Sequence, residues 1–543
     1  MPDQPLTDDA GNTMIDVTGD NIRHPLIDQI KTQASAGSVA GSVVRLVPSE
    51  EPEYVVEDDA RNILLRVTGD DIEHPVIDQV KAVAARIKSL PSSAPQVVFE
   101  DDIGNILGSL SENDFVHPYA ARTTRAALAG VRAMSGGVRD PKWDPIQALS
   151  EIFHIVLYGQ SNSVGWGAAQ VIRTLPLAYG LRFSTGVRAQ DGAGTAAVNH
   201  PALTPLLETQ FGGIYGYGET QATALVMMIA QLLWEEDGID ITGGALGKIL
   251  VSAPGEQGVS LINRSSGTKY FQQLEDDITY GRSLSDAAAL SYSAGALIEI
   301  GGESEYDANT SRATYAGQLR QLRSDVQSWG QGVAGTASPL PLFLAQVSTH
   351  LTYNRATPTS ALAQIDVAAD DNICLACPTY FLPFWPDNLH YPPAGRDWMG
   401  AYLGLAIKRW LWDGVKPLPL LPQHISVIGK TIILKFNLAK QRKLVFDTTT
   451  LAAQTNMGFQ VVDSAGNALT IAAAPRIVGA DRIAIQMSAV PAAGFQVRYA
   501  WVGVGSVAGG NLRDNRGDDI VFDRNGSANR MDNWVPIFQQ GAS

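Results

Sequence analysis

Three observations predict an α/β fold with a mainly parallel sheet, flanked on either side in the chain by β-rich regions. Between residues 150 and 415 of the 543-residue chain, apolar strand-like runs alternate with amphipathic helical stretches, as in a sheet with helices on its faces. Residues 1–140 carry three copies of a hairpin-type repeat, and residues 423–543 are short alternating runs separated by polar turns, the pattern of an all-β sandwich. The length suggests about three or four domains. With 45% apolar and 17% charged residues, the chain has the material for large cores.

The repeats come first. DDAGNTMIDVTGDNIRHP begins at Asp8, DDARNILLRVTGDDIEHP at Asp58 and DDIGNILGSLSENDFVHP at Asp101. Each has an Asp pair, a polar turn with Asn, an alternating apolar stretch, a second polar turn and His-Pro. This reads as a β-hairpin followed by a helical or extended connector, with AVAARIKSL (82–90) as a short helix after the second copy. One hairpin buries too little to fold alone, so the copies are expected to stack or to associate with other chains as a homo-oligomer such as a trimer. His24, His74 and His117 recur at equivalent places, but each precedes Pro at a unit end with no other ligand type beside it, so no metal site is read there.

In the central region the strands are FHIVLYG, GKILVSAPG, ALIEIGG, PLFLAQV and the run around NICLACP; the helices include TQATALVMMIAQLLWEE, 314–328 and RDWMGAYLGLAIKRWLW. The spacing leaves room for crossover helices, which makes the sheet mainly parallel. KPLPLLP (416–422) is a stiff connector that marks a boundary. Beyond it, Tyr499, Trp501 and Trp534 fit a sandwich core better than a sugar-stacking surface. GNLRDNRGDD (510–519) lacks the ligand spacing of a calcium loop and is read as a polar turn.

A net charge of −15 disfavours nucleic acid or an anionic membrane as the main partner. The N-terminus has neither the basic start nor the apolar core of a secretory signal, and no run of about 18 apolar residues occurs. A soluble protein with no membrane insertion is expected. Cys374 and Cys377 form a lone CxxC inside a strand-like run and are read as inert core thiols.

The chemistry centres on IVLYGQSNSVG (155–165), where a buried-type strand delivers Ser161 to the carboxyl edge of the sheet. A helix is expected to open just after it, so Ser161 is either a nucleophile favoured by the helix N-terminus or simply a helix N-cap. A nucleophile needs a base. Of the five histidines outside the repeats, His154 lies in the strand itself, His200 and His350 in polar loop-like stretches, and His424 beside the connector. His390, in WPDNLHYPPAGRDWMG, follows Asp387 by three residues, so a carboxylate is placed to hold its Nδ1 proton and free Nε2 to accept one from a hydroxyl.

GQSNS (159–163) together with DNLH (387–390) resembles the first and last motif blocks of the SGNH (GDSL-like) hydrolases, most of all the sialate and carbohydrate O-acetylesterases. SAPGEQGVSLINRSSGTKYF (252–271) resembles the second block, with Gly258 at the oxyanion-hole glycine, and IEIGGESEYD (298–307) resembles the third, through Gly302, Glu303, Ser304 and Glu305. The resemblance spans roughly residues 152–412. It implies an acyl-enzyme mechanism with Ser161, His390 and Asp387 as the triad, backbone N–H groups of Ser161 and Gly258 with Asn162 at the oxyanion, Gln160 and Glu303 at the substrate, and no metal or cofactor. The chain departs from the pattern at Gly301, where the family carries a side-chain donor; such a donor is typically worth about 2.7–4 kcal/mol.

The order of repeats, hydrolase-like region and β region resembles bacteriophage tail or tailspike proteins that deacetylate bacterial surface polysaccharide. That implies an acetylated polysaccharide as substrate, a virion location, and repeats that serve attachment or oligomerisation. The opposing reading, supported by Gly301, is a non-catalytic glycan-binding or structural virion protein on the same scaffold.

Overall fold

The structure is a computed structural model. It describes residues 150–542 except 168–169, 189–199, 211–215, 242–247, 335–338, 504–506 and 525–526, and within residues 1–149 the backbone of Ser42–Val47, Val138–Arg139 and the strands named below. The chain divides into two compact units, Met1–Arg125 and Ala126–Ser543.

In the first unit every repeat contributes two strands in the same register. Thr13–Thr18 pairs with Asn21–Arg23, Ile63–Thr68 with Asp71–Glu73, and Ile106–Ser111 with Asp114–Val116, each across a two-residue connection. A third strand precedes each Asp pair or ends on it: Leu6–Thr7, Glu53–Asp58 and Gln96–Glu100. The repeat therefore carries a three-stranded meander, with the DD…N residues lying in the sequence between its first two strands or, for Asp58, at the end of the first. The helix expected over 82–90 is corrected in part, because Arg86–Leu90 is a strand paired antiparallel with Gln96–Glu100. The alternation of RIKSL beside the β-branched QVVF favours a ladder over a helical turn. His24, His74 and His117 lie outside the described residues.

The second unit is built on a seven-stranded sheet. Its strands are β1 (Ile152–Gly159), β2 (Leu177–Phe183), β3 (Leu203–Leu206), β4 (Lys248–Ser252), β5 (Tyr292–Ile300), β6 (Leu342–Gln346) and β7 (Ile373–Pro378), in the order β3-β2-β4-β1-β5-β6-β7. All pairings are parallel except β2–β3. The helices are α1 (Ala222–Asp237), α2 (Lys269–Ala287), α3 (Glu303–Asp307), α4 (Arg312–Ala334), α5 (Thr359–Ala368) and α6 (Pro393–Ile407).

β1 explains the unbroken apolar run in the sequence. Alternate residues enter two cores: Phe153, Ile155 and Leu157 join that of α1 and α6, whereas Ile152, Val156 and Tyr158 join that of α2 and α4. A strand covered on both faces needs apolar side chains at both parities. Cys374 and Cys377 are free thiols buried in β7, and burial pushes Cys374 up to about 12.

Past Pro417 the chain forms two four-stranded antiparallel sheets. One is β8 (Pro422–Ile428), β9 (Thr431–Phe436), β13 (Arg482–Met487) and β12 (Ile471–Val478) in that order; the other is β11 (Ala468–Leu469), β10 (Phe459–Val462), β14 (Gln496–Tyr499) and β15 (Phe538–Gly541). Ile432, Leu434, Ile483 and Ile485 of the first sheet and Phe459, Val461, Val497 and Tyr499 of the second belong to the core that also holds α1 and α6. The Pro-rich segment changes the secondary structure without interrupting the core. Tyr499, Trp501 and Trp534 are buried in it. Among the described residues no helix is long and apolar enough to cross a membrane.

Helices α1 and α6 pack closely because α6 carries Gly400 and Gly404. A Cβ on Gly400 would meet the Gln221 carbonyl oxygen at 2.5 Å, and one on Gly404 the Leu225 carbonyl oxygen at 2.4 Å. Since α6 follows the His390 loop, this spacing sets where that loop ends. Gly404→Ala is expected to lower the unfolding free energy by about 1–3 kcal/mol through overpacking, read from urea denaturation of the whole chain. An unchanged midpoint would refute the close-approach argument.

Candidate active site

β1 ends at Gly159, where a Cβ would lie 2.2 Å from the Ile300 carbonyl oxygen, so only glycine permits this approach to β5. The ladder runs one residue further as Gln160 N–H donates to the same oxygen at 2.9 Å. The chain then turns sharply. Ser163 N–H and its hydroxyl both donate to the Gln160 carbonyl (2.9 and 2.8 Å), and Trp166 N–H donates to that of Ser161 (3.0 Å).

No helix follows: residues 161–165 are consecutive turns, and Trp166 bridges to Tyr217. The expected helix N-terminus behind Ser161 is thus corrected, and Ser161 is not a helix cap. The short polar run SNSVGWG satisfies its backbone through turns, and a helix would need longer apolar periodicity to pack.

His390 arrives on the loop between β7 and α6. Asp387 Oδ1 accepts the N–H groups of Leu389 (2.9 Å) and His390 (3.0 Å), while Trp385 N–H donates to the His390 carbonyl (2.8 Å). Asn388 at φ 54° supplies the left-handed residue that this turn requires, a conformation Asn tolerates. The loop is held from outside by the Thr352 hydroxyl on the Asn388 carbonyl, 2.9 Å.

The three side chains singled out in the sequence meet here. The Ser161 hydroxyl faces His390 Nε2 at 3.0 Å, and His390 Nδ1 faces Asp387 Oδ2 at 2.7 Å. His390 is buried with its ring 4.6 Å from that of Trp166, whereas Ser161 is half-buried and open to a ligand. Burial would raise the Asp387 carboxyl, but the hydrogen bonds from the His390 ring and from the N–H groups of His390 and Leu389 outweigh it and hold the group at about 2. The carboxylate is therefore ionised wherever His390 acts as a base.

The backbone N–H groups of Ser161 and Gly258 have no protein acceptor among the described residues. Gly258 is exposed on the loop after β4, next to Val259, whose carbonyl takes a hydrogen bond from Gln160 Nε2 at 2.9 Å. Asn162 is corrected as an oxyanion donor, because its Nδ2 already donates to Glu303 Oε1 (2.9 Å) and to the Leu389 carbonyl (3.2 Å).

Gln160 and Glu303, expected at the substrate, are both buried. Gln160 bonds Val259, Glu305 and Ser304 N–H, so its polar atoms brace the turn. Glu303 braces Asn162, and burial raises its carboxyl above the usual range although the Asn162 hydrogen bond opposes the rise.

Gly301 has a packing reason. A Cβ there would lie 2.5 Å from Glu299 Oε1 and 3.3 Å from an Arg264 guanidinium nitrogen. Arg264 and Glu299 form a fully buried bidentate pair, 2.9 and 3.2 Å, and Arg264 Nε also donates to the Val259 carbonyl at 3.0 Å. The space that a third-block side chain would need is filled by an ion pair anchoring the Gly258 loop.

The other histidines are engaged elsewhere. His154 bonds Tyr292 and Ser252; His200 is buried against Asp277 (3.1 Å) and Thr185; His350 is buried on the Trp501 carbonyl (2.9 Å). His200 and His350 lie outside helices and strands, as their polar stretches suggested, and both are buried. Sequence reasoning also missed Arg396, a fully buried arginine at the start of α6. Its only mark in the sequence was its place, beside Asp397, at the start of a helix otherwise without charge. Among the described residues no cluster of three or more His, Cys, Asp or Glu is arranged to hold a metal.

No family model and no curated protein sequence matches the chain. Solved structures similar to it include a carbohydrate acetylesterase from Xanthomonas citri, 15% identical with a TM-score of 0.43 over 93% of this chain and 94% of that one. A protein from Arabidopsis thaliana is 15% identical over 48% of this chain and 98% of its own, TM-score 0.35. An aryl esterase of M. smegmatis is 12% identical over 47% and 98%, TM-score 0.28. With TM-scores below 0.5 and such low identities, neither the fold described above nor the chemistry of the site rests on these likenesses.

Two outcomes follow. Gly301→Ala is expected to lower stability by about 1–3 kcal/mol, and Gly301→Gln to lose stability without gaining turnover. Denaturation midpoints and esterase rates decide it, and a Gln variant that is both stable and faster would overturn the packing account. For Asp387, a depressed carboxyl contributes stability that is fully present above its unfolded value near 3.8 and is lost as pH falls through about 2. Asp387→Asn should therefore flatten the fall in melting temperature between about pH 4 and 2; an acid limb identical to wild type would contradict it.

Proposed function

We propose that the protein is a serine ester hydrolase that removes O-acetyl groups from a carbohydrate. The observation that carries this reading is the hydrogen-bonded chain Ser161–His390–Asp387 with a half-buried Ser161; the N–H groups of Ser161 and Gly258, without a protein acceptor among the described residues, support it.

In the reaction proposed, Ser161 Oγ bonds to the ester carbonyl carbon as His390 Nε2 takes its proton. Asp387 keeps the imidazole in the Nδ1–H tautomer and stabilises the imidazolium. The carbonyl oxygen, now negative, lies against the N–H groups of Ser161 and Gly258. Cleavage of the C–O bond releases the sugar hydroxyl, protonated by His390. Water attacks the acetyl-serine with His390 again as base, and acetate leaves.

The substrate is read as an acetylated bacterial surface polysaccharide. This rests on the architecture: repeats serving attachment or oligomerisation precede the catalytic unit, as in the phage tail proteins whose organisation the sequence resembles. The reading of a non-catalytic glycan-binding or structural virion protein has Gly301 as its best support, and the buried Arg264–Glu299 pair gives that glycine a packing reason independent of lost activity.

Ser161→Ala is expected to reduce p-nitrophenyl acetate hydrolysis at least about a thousandfold, and wild-type enzyme to release acetate from some member of a panel of acetylated bacterial polysaccharides. Equal rates for wild type and Ser161→Ala would reject the catalytic reading. No acetate from any polysaccharide, with the ester rate intact, would reject the substrate class only.

A further inference from the structure

Arg396 stands one turn of chain away from the catalytic histidine, with no part of it exposed. It sits in the first turn of α6, six residues after His390. Its donors reach only oxygens of the catalytic loops. Nε donates to the Tyr391 carbonyl at 2.9 Å; one terminal nitrogen donates to the carbonyls of Asn162 (3.0 Å) and Ser161 (3.3 Å); the other donates to the Trp166 carbonyl (2.5 Å) and Asn162 Oδ1 (3.4 Å). Among the described residues no carboxylate lies within ion-pair distance of it.

A buried guanidinium without a counter-ion is costly in water-free surroundings and is retained only where its geometry is used. A structural arginine would normally be neutralised by Asp or Glu, as Arg264 is by Glu299. Arg396 instead joins the two loops whose relative position decides the distance between Ser161 Oγ and His390 Nε2. Tyr391, beside the base, and Ser161, Asn162 and Trp166, spanning the nucleophile turn, hang from one planar fork. Gln221 Nε2 adds a second donor to the Asn162 carbonyl at 2.9 Å, so the turn is over-determined on this side.

We infer that Arg396 is a positioning residue of the ester-hydrolysing site: its planar fork fixes the nucleophile turn against the histidine loop, and its charge lies beneath the peptide groups beside which the oxyanion forms. The planar geometry matters. A lysine ammonium is a point charge on a flexible stem and cannot span Tyr391, Asn162 and Trp166 together. With Gly301 carrying no donor, the site depends on backbone N–H groups, and those act only if the turn that presents them is held still.

This inference rests on the proposed hydrolase reading, and the tests separate the two. Arg396→Lys and Arg396→Met are compared with wild type and Ser161→Ala using p-nitrophenyl acetate. Expected is a fall in kcat of about 10- to 100-fold with KM within about twofold of wild type, and a higher kcat in the Lys than in the Met variant. A kcat unchanged in both variants, or a rise in KM with kcat intact, overturns the positioning role while leaving the hydrolase reading standing. A Ser161→Ala rate equal to wild type overturns the hydrolase reading whatever Arg396 does.

A measurement on the unmutated chain covers the case in which both variants fail to fold. In arginine-selectively 15N-labelled protein, one side-chain Nε–H signal protected from solvent exchange should shift when a fluorophosphonate forms its adduct on Ser161, and the unreactive Ser161→Ala protein should show no shift. Absence of any such shift, despite an adduct confirmed by mass, would also overturn the inference.

Discussion

The turn after β1 must leave a fully buried strand, reverse direction, and still satisfy every polar group it carries. That constraint organises the site. Gln160, Asn162 and Ser163 are all buried, so each polar atom needs a partner brought from another element. Val259 comes from the loop after β4, Glu303 and Ser304 from α3, Leu389 from the histidine loop, and Gln221 and Arg396 from the starts of the two facing helices α1 and α6. The Ser161 N–H and hydroxyl are left without such a brace, the hydroxyl with a base beside it. The residues that surround a would-be nucleophile are thus mostly those that make its exposure possible.

The same constraint explains why side chains expected to meet a substrate do not. Gln160 and Glu303 belong to motif-like stretches, and a motif records which residues must be present without recording whether they face inward. Glu303 is held in the apolar interior with one oxygen on Asn162, which puts its carboxyl among the scaffold. Asn162 passes from expected donor to brace for the same reason: its two amide protons are already on Glu303 and Leu389, and Arg396 fixes which way the amide points.

How far the sequence could be read depended on periodicity. β1, β4, β5, β6 and β7 are legible because strands buried on both faces need continuous apolar runs, and α1 and α6 because their length exceeds any strand. β2, with the alternating LAYGLRF, and the four-residue β3 lack that signal and were not recognised. The DNLH segment disclosed its carboxylate and imidazole because the three-residue spacing itself forms the turn. What Arg396 holds was not legible, since its partners are mostly carbonyl oxygens and a carbonyl has no letter in a sequence. Gly301 looked like a lost function, and only the position of Glu299 and Arg264 showed that the absent side chain has no space. The third strand of each repeat was hidden for a simpler reason: it precedes the Asp pair from which the repeats were counted.

The C-terminal sheets bear on the site through backbone groups as well as through the shared core. Gln346, at the end of β6, accepts the Ile537 N–H at 2.7 Å and donates to its carbonyl at 3.0 Å, and Tyr380, just past β7, donates to Val535 at 2.6 Å. Four residues beyond Gln346, His350 bonds the Trp501 carbonyl, and two residues further Thr352 holds the Asn388 carbonyl inside the histidine loop. Tyr402 of α6 donates to the Asp532 carbonyl, and Phe381, just past β7, stacks on Trp534 at 4.8 Å. A continuous set of contacts therefore runs from the β15 region to the loop that carries His390. An independent sugar-binding module would need its own closed core and a free face; these sheets instead give their aromatic residues and several backbone groups to the α/β layer. The C-terminal region is better understood as the back wall of the α/β layer that carries Ser161 and His390, and the Pro-rich segment as the stiff corner where the chain crosses from one layer of a single core to the next.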